Sequence, residues 1–178
     1  MLNCVIILAT ICLLVASPVA QAEPGESLKG VNGVFLFTLV DKDLSDAGVD
    51  RDAIETSVEL KLRSIGLTVI TAKHLGDPTQ KLSLVALMIG VKGMKITDTE
   101  MYCYSASIAA SEGGILHHLP KEYIPVTTWA DDVIGCVGKH RLDAIKGTVE
   151  EIADTFCNDY LIANPKPSSI PGPSPVKP

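Results

Sequence analysis

Apolar residues run almost unbroken from Val31 to Val40, with Phe35 and Phe37 inside the run. That length and density predict a buried strand. Asp41 to Asp50 is crowded with Asp and carries Gly48, so it reads as a loop. From about Arg51 to Ile65 the pattern changes period. Ile54, Val58, Leu62 and Ile65 fall on one stripe, spaced by four, four and three. Asp50 is placed to cap this helix, and Asp52 favours the positive end of its dipole. Glu59 and Arg63 form an i,i+4 pair on its polar side. Gly66 then marks its end.

Leu67 to Ala72 is a short β-branched strand. Strand, helix and strand in this order predict a right-handed crossover with parallel strands. His74 to Gln80 carries Gly76, Asp77 and Pro78, a turn signal. Leu82 to Val91 is apolar on both faces from Leu84 to Ile89, which predicts a central strand. Thr99 to Ser111 alternates. Tyr102, Tyr104, Ala106, Ile108 and Ala110 point one way, and Met101, Cys103, Ser105, Ser107 and Ala109 the other. Glu112 to Lys121, with Gly113, Gly114 and Pro120, reads as a loop or hairpin tip. Glu122 to Val137 is the last strand. Pro125 argues for an edge or a bulge, and Asp131-Asp132 for a break in pairing. Lys139 to Leu161 is the longest helix, with Leu142, Ile145, Val149, Ile152 and Phe156 on its stripe. Asn164-Pro165 stops it.

These elements predict an α+β fold: a two-layer sandwich with one mixed, mostly antiparallel sheet of about five strands and two helices on one face. The sheet face carrying Cys103, Ser105 and Ser107 is left partly open.

The first residues change the accounting. Leu2 to Ala22 has no charged side chain, and its apolar core runs from Cys4 to Ala16. That core suits a secretory signal and is short for a membrane span. Pro18 and the small-x-small run Ala20-Gln21-Ala22 predict cleavage before Glu23. An uncleaved anchor is the rival reading, because no Lys or Arg precedes the apolar run. Ile11 before Cys12 is too large for a lipidation site. The chain therefore divides into a signal at 1–22, one domain at 23–163 and a Pro-rich flexible tail at 164–178. The 47% apolar content falls to about 43% without the signal, ordinary for a soluble domain. The net charge of −6 argues against a nucleic-acid partner. With the signal removed, no membrane span is expected.

The candidate chemistry is sparse. Cys103, Cys136 and Cys157 remain after cleavage, and export makes a disulfide plausible. If the strands around 112–121 form a hairpin, positions summing to about 235–240 lie opposite each other. That brings Cys103 near Cys136. Three unpaired, mostly buried thiols remain the alternative. His117 and His118 are adjacent and would face opposite ways on a strand; His74 and His118 fall in predicted loops. No metal-ligand spacing is present, and no cofactor is expected. The cluster Asp41, Asp43, Asp46, Asp50 and Asp52 lacks the calcium-hand pattern. The motifs G-x-S-x-G, G-x-G-x-x-G and H-E-x-x-H are absent, so no catalytic residue is assigned.

The strongest local anomaly is Gly135-Cys136-Val137-Gly138-Lys139-His140-Arg141. A strand ends, glycines follow, and a helix begins with cationic residues that oppose its dipole. Gly138, Lys139, His140 and Arg141 are the candidate anion site; solvated basic residues paired with nearby carboxylates are the plain reading. Tyr102, Tyr104, Tyr123 and Trp129 read as core packing, or as a ligand surface if they face outward.

Two blocks carry a resemblance. One is Val58-Glu59-Leu60-Lys61-Leu62-Arg63 followed by Gly66-Leu67-Thr68-Val69. The other is Thr128-Trp129, Gly135-Cys136-Val137-Gly138, then Phe156-Cys157-Asn158-Asp159-Tyr160-Leu161 with Asn164-Pro165. Together they resemble small exported bacterial proteins of unknown function, over most of the mature chain. The order of elements is similar to envelope accessory modules such as the amino-terminal domain of the TolB translocation protein and small lipopolysaccharide-assembly lipoproteins. The resemblance implies no catalytic residue. The expectation is a periplasmic or secreted, non-catalytic binding module with an envelope protein as partner. A small-ligand or anion carrier, using the sheet aromatics or residues 138–141, is the alternative. A hydrolase would need His140 or His74 gathered with Cys or Asp.

Overall fold

The computed structural model describes residues 25–71, 83–116 and 119–165. The expected signal, the 74–80 turn, His117, His118 and the tail beyond Pro165 lie outside them. The elements run β1 (Gly33–Val40), α1 (Lys42–Ala47), α2 (Arg51–Ser64), β2 (Thr68–Thr71), β3 (Leu84–Lys95), β4 (Met101–Leu116), β5 (Leu119–Gly138) and α3 (Asp143–Ala163). Short 3-10 turns occupy Glu26–Leu28 and Lys139–Arg141.

The sheet has five strands in the order β2-β1-β3-β4-β5. β1 pairs in parallel with β2 and with β3. The two longer ladders, β3 with β4 and β4 with β5, are antiparallel. The fold is thus the expected α+β arrangement of one mixed sheet with helices on one face. β3 is central, as its two apolar faces predict.

Local chemistry explains the elements. Asp50 accepts a hydrogen bond from the Ala53 N–H at 3.0 Å and caps α2. Ile54, Val58 and Leu62 bury one stripe of that helix, and Gly66 turns the chain at φ +98°. Ile145, Val149, Ile152, Ala153, Phe156 and Cys157 bury the stripe of α3. The strands meet these stripes with Val34 and Leu36 on β1, Val85, Leu87, Ile89 and Val91 on β3, and Ala106, Ile108 and Ala110 on β4. Lys61 pairs with Asp154 at 2.5 Å, and Ser57 donates to Glu150, tying α2 to α3. Residues 25–31 are fastened to the end of α3. The Gly30 N–H donates to Asn164 Oδ1 at 2.7 Å, and Tyr160 donates to the Val31 carbonyl at 3.1 Å.

The structure departs from expectation in four places. The Asp-rich stretch after β1 contains α1: Leu44 is fully buried over Gly93, where an added Cβ would lie 2.9 Å from Leu44 Cδ1. A third helix is therefore added to the expected two. β4 continues through Gly113 and Gly114 to Leu116. The glycine at 114 is needed because a Cβ there would lie 2.5 Å from Val126 Cγ2. Pairing is unbroken at Asp131 and Asp132; the bulge falls instead at Thr128, between the Ala110 and Ser111 pairs. The last helix begins at Asp143, one turn later than the expected start at Lys139. Among the described residues, no helix is long and apolar enough to cross a membrane.

Candidate functional site: the open sheet face and the turn at 138–141

All three helices pack on one side of the sheet, through the alternating positions that face them. The other positions form the open face. On β1 these are Phe35, Phe37 and Leu39; the first two rings lie 6.0 Å apart. Across the ladder stand Ala86, Met88 and Gly90 on β3, with Leu84 preceding them. Next come Ser111, Ala109 and Ser107 on β4, and then Ala130, Asp132 and Ile134 on β5. Leu39 is 58% exposed and Ile134 78%. Small side chains in the middle of the face thus separate an aromatic and aliphatic strip on β1 and β3 from Ile134 on β5.

Cys103 and Cys136 face each other across the β4–β5 ladder on this same open side, and they form a disulfide. Cys157 is the buried free thiol of α3. Burial pushes its pKa up to about 11; Asp154 adds to the rise and Lys61 opposes it. A thiol held protonated in this way is a poor nucleophile.

The aromatic residues point the other way. Tyr102 and Tyr104 are buried under the helices. The Tyr104 hydroxyl lies 2.8 Å from Thr148 Oγ1. Trp129 donates its indole N–H to Asp159 at 2.9 Å and meets the Phe156 ring edge-on at 5.0 Å. These three are packing residues of the helix side. Nothing is described of the Tyr123 side chain.

Gly138 ends β5, and Lys139, His140 and Arg141 form an exposed 3-10 turn. The Lys139 N–H donates to the Glu100 carbonyl at 2.8 Å. Its ammonium lies 3.8 Å from the Glu100 carboxylate, which Lys95 also contacts at 2.9 Å. Lys95 holds the Glu100 carboxyl below its usual range, and Lys139 and His140 pull in the same direction. A shallow depression beside this corner is lined by Asp43, Asp46, Lys95, Tyr102 and Lys139. The corner is therefore of mixed charge, and an incoming anion would compete with Glu100 and two aspartates. Among the described residues, no group of His, Cys, Asp and Glu is placed to hold a metal ion.

No family model matches the chain. No curated protein matches it either. Several solved structures are similar to it at low identity. The PelC dodecamer from Paraburkholderia phytofirmans aligns at 9% identity and a TM-score of 0.44, over 72% of this chain and 90% of that one. A neuraminyllactose-binding hemagglutinin homolog from Helicobacter pylori aligns at 12% and 0.42, over 82% and 92%. The hypothetical protein CT253 from Chlamydia trachomatis aligns at 14% and 0.30, over 70% and 98%. Likenesses at this level carry neither kinship nor activity across to this chain.

The partly open face at Cys103, Ser105 and Ser107 was expected; what sequence reasoning missed is that it extends over the apolar positions of β1 and β3. Val31 to Val40 and Leu84 to Ile89 read as strands buried on both sides. The available signal was a mismatch: two long helices cannot cover both faces of a five-stranded sheet.

Proposed function

We propose that this chain is an exported, non-catalytic interaction module that presents the open face of its sheet to an envelope protein. One observation carries the reading. β1 and β3 are parallel neighbours and apolar on both faces, yet among the described residues helices cover only one face. Parallel strands normally bury both sides. Exposed apolar patches ringed by polar residues mark interaction surfaces. Ser105, Ser107, Lys92 and Asp132 supply the polar surround.

The test is retention of a partner from crosslinked envelope extract. Wild-type protein should retain a discrete envelope protein. A Leu39→Asp, Met88→Asp variant should lose it, because both side chains lie on the open face. Leu60→Asp should retain it, because Leu60 is more exposed than either but lies on α2. Repeated failure of the wild type, or equal retention by all three, counts against the reading.

A further inference from the structure

β5 is an edge strand, so one row of its backbone groups has no partner in the sheet. Its phase follows from two contacts. Directly opposed residues at close, non-hydrogen-bonded positions turn their N–H and C=O groups away from each other. Cys103 and Cys136 sit at such a position, with Cα atoms 4.1 Å apart. The Lys139 N–H, three residues on, instead points inward to the Glu100 carbonyl. Asp132, Ile134, Cys136 and Gly138 therefore turn their backbone donors and acceptors outward.

Elsewhere the same edge is guarded. Pro125 has no N–H to offer. The bulge at Thr128 breaks the strand, and Ser27 Oγ donates to the Thr128 carbonyl at 2.8 Å. From Val133 to Val137 there is no charge and no proline, nothing among the described residues covers the edge, and Val133 is 39% exposed beside the still more exposed Ile134. An uncharged, β-branched edge of this kind pairs readily with another strand.

We propose that residues 131–139 pair antiparallel with the same segment of a second copy, about a twofold axis at Gly135. The two sheets then join into one. In this register Ile134 lies opposite Cys136, and Asp132 opposite Gly138. All four belong to the outward row, so each pair exchanges two hydrogen bonds. Asp131 comes opposite Lys139 twice, once on each side of the axis, and opposite charges stabilise such cross-strand pairs. Sliding by two residues keeps the hydrogen bonds but sets Asp131 against Val137 in one direction and, in the other, against Arg141, which lies past the strand end in the 3-10 turn. Sliding by one sets outward groups against inward ones. The guard at Thr128 lies beyond the paired window. A strand pair of this length is smaller than a standard interface of about 1,600 Å², so the dimer dissociates on dilution. The pairing is independent of the open face, which stays open in both copies.

Sedimentation of the purified protein from about 1 to about 200 µM tests this. The wild type should pass from one to two chain masses over that range. Ile134→Pro removes an outward N–H and leaves the β4 ladder whole, so it should stay monomeric with an unchanged circular dichroism spectrum. Lys139→Asp should weaken the dimer about threefold to tenfold, and adding Asp131→Lys should restore it. The last two variants keep the test decisive if the proline variant misfolds. A wild type that stays monomeric throughout, even if the edge captures an extended segment of another protein, overturns the proposal. So does a dimer indifferent to Ile134→Pro and to both charge variants.

Discussion

The indole N–H of Trp129 donates to the carboxylate of Asp159 at 2.9 Å, joining edge strand β5 to the helix that closes the fold. The same ring packs edge-on against Phe156, which is fully buried. Replacing Trp129 with Phe removes the donor and leaves the half-buried carboxylate short of a partner. Urea denaturation followed by circular dichroism should show a loss of about 1–2 kcal/mol. Asp159→Asn keeps an acceptor and should lose less. Equal losses would mean that the charge of the carboxylate carries this contact.

The disulfide between Cys103 and Cys136 closes a hairpin across a sequence separation of 33. Cross-linking restricts the unfolded chain, so replacing both residues with Ala should cost about 2–4 kcal/mol. Comparing denaturation midpoints of the oxidised wild type and the double variant checks this. A difference under about 0.5 kcal/mol would show that the ladder alone sets the hairpin's stability.

Thr38 is buried on the helix side of β1, and its Oγ1 has no hydrogen-bond partner among the described residues. A buried hydroxyl without a partner costs stability. Thr38→Val keeps the shape and removes the hydroxyl, so it should raise stability by about 1 kcal/mol. A measured loss would reveal a partner for the hydroxyl in solution.

Glu150 on α3 accepts a hydrogen bond from Ser57 on α2, which holds its carboxyl below the usual value, and Lys146 acts in the same direction. A carboxyl held low in the folded state adds stability that is present above its ordinary value. That stability is lost as the pH falls through the lowered value. Ser57→Ala should therefore cost about 1 kcal/mol at pH 7, with the difference from wild type shrinking below about pH 4. Chemical denaturation at several pH values checks it. A difference that stays constant down to pH 3 would assign the effect of Ser57 to packing.

Where a pattern was local and regular, it was legible along the chain. The stripe Ile54, Val58, Leu62, the Asp50 cap and the Gly66 turn define α2 without any tertiary information. The alternation from Tyr102 to Ala110 assigns the faces of β4, and hairpin arithmetic sets Cys103 opposite Cys136. What failed depended on contacts distant in sequence. α1 hides among aspartates because Leu44 alone anchors it, over a glycine on β3. Gly113 and Gly114 read as a loop, although the glycine at 114 is required by close approach of β5. The open face was read from the serines of β4, but its extent over β1 and β3 was not, because an apolar strand looks the same whether its second side is covered by its own chain or left for another.

The central claim is that the open face receives a protein partner. Photo-crosslinkers placed singly at Leu39, Met88 and Leu60, in the full chain produced in its own cells, test it most directly. Adducts with one discrete envelope protein from Leu39 and Met88, and none from Leu60, are the predicted result. No adduct from either open-face position, or the same adduct from Leu60, would contradict it.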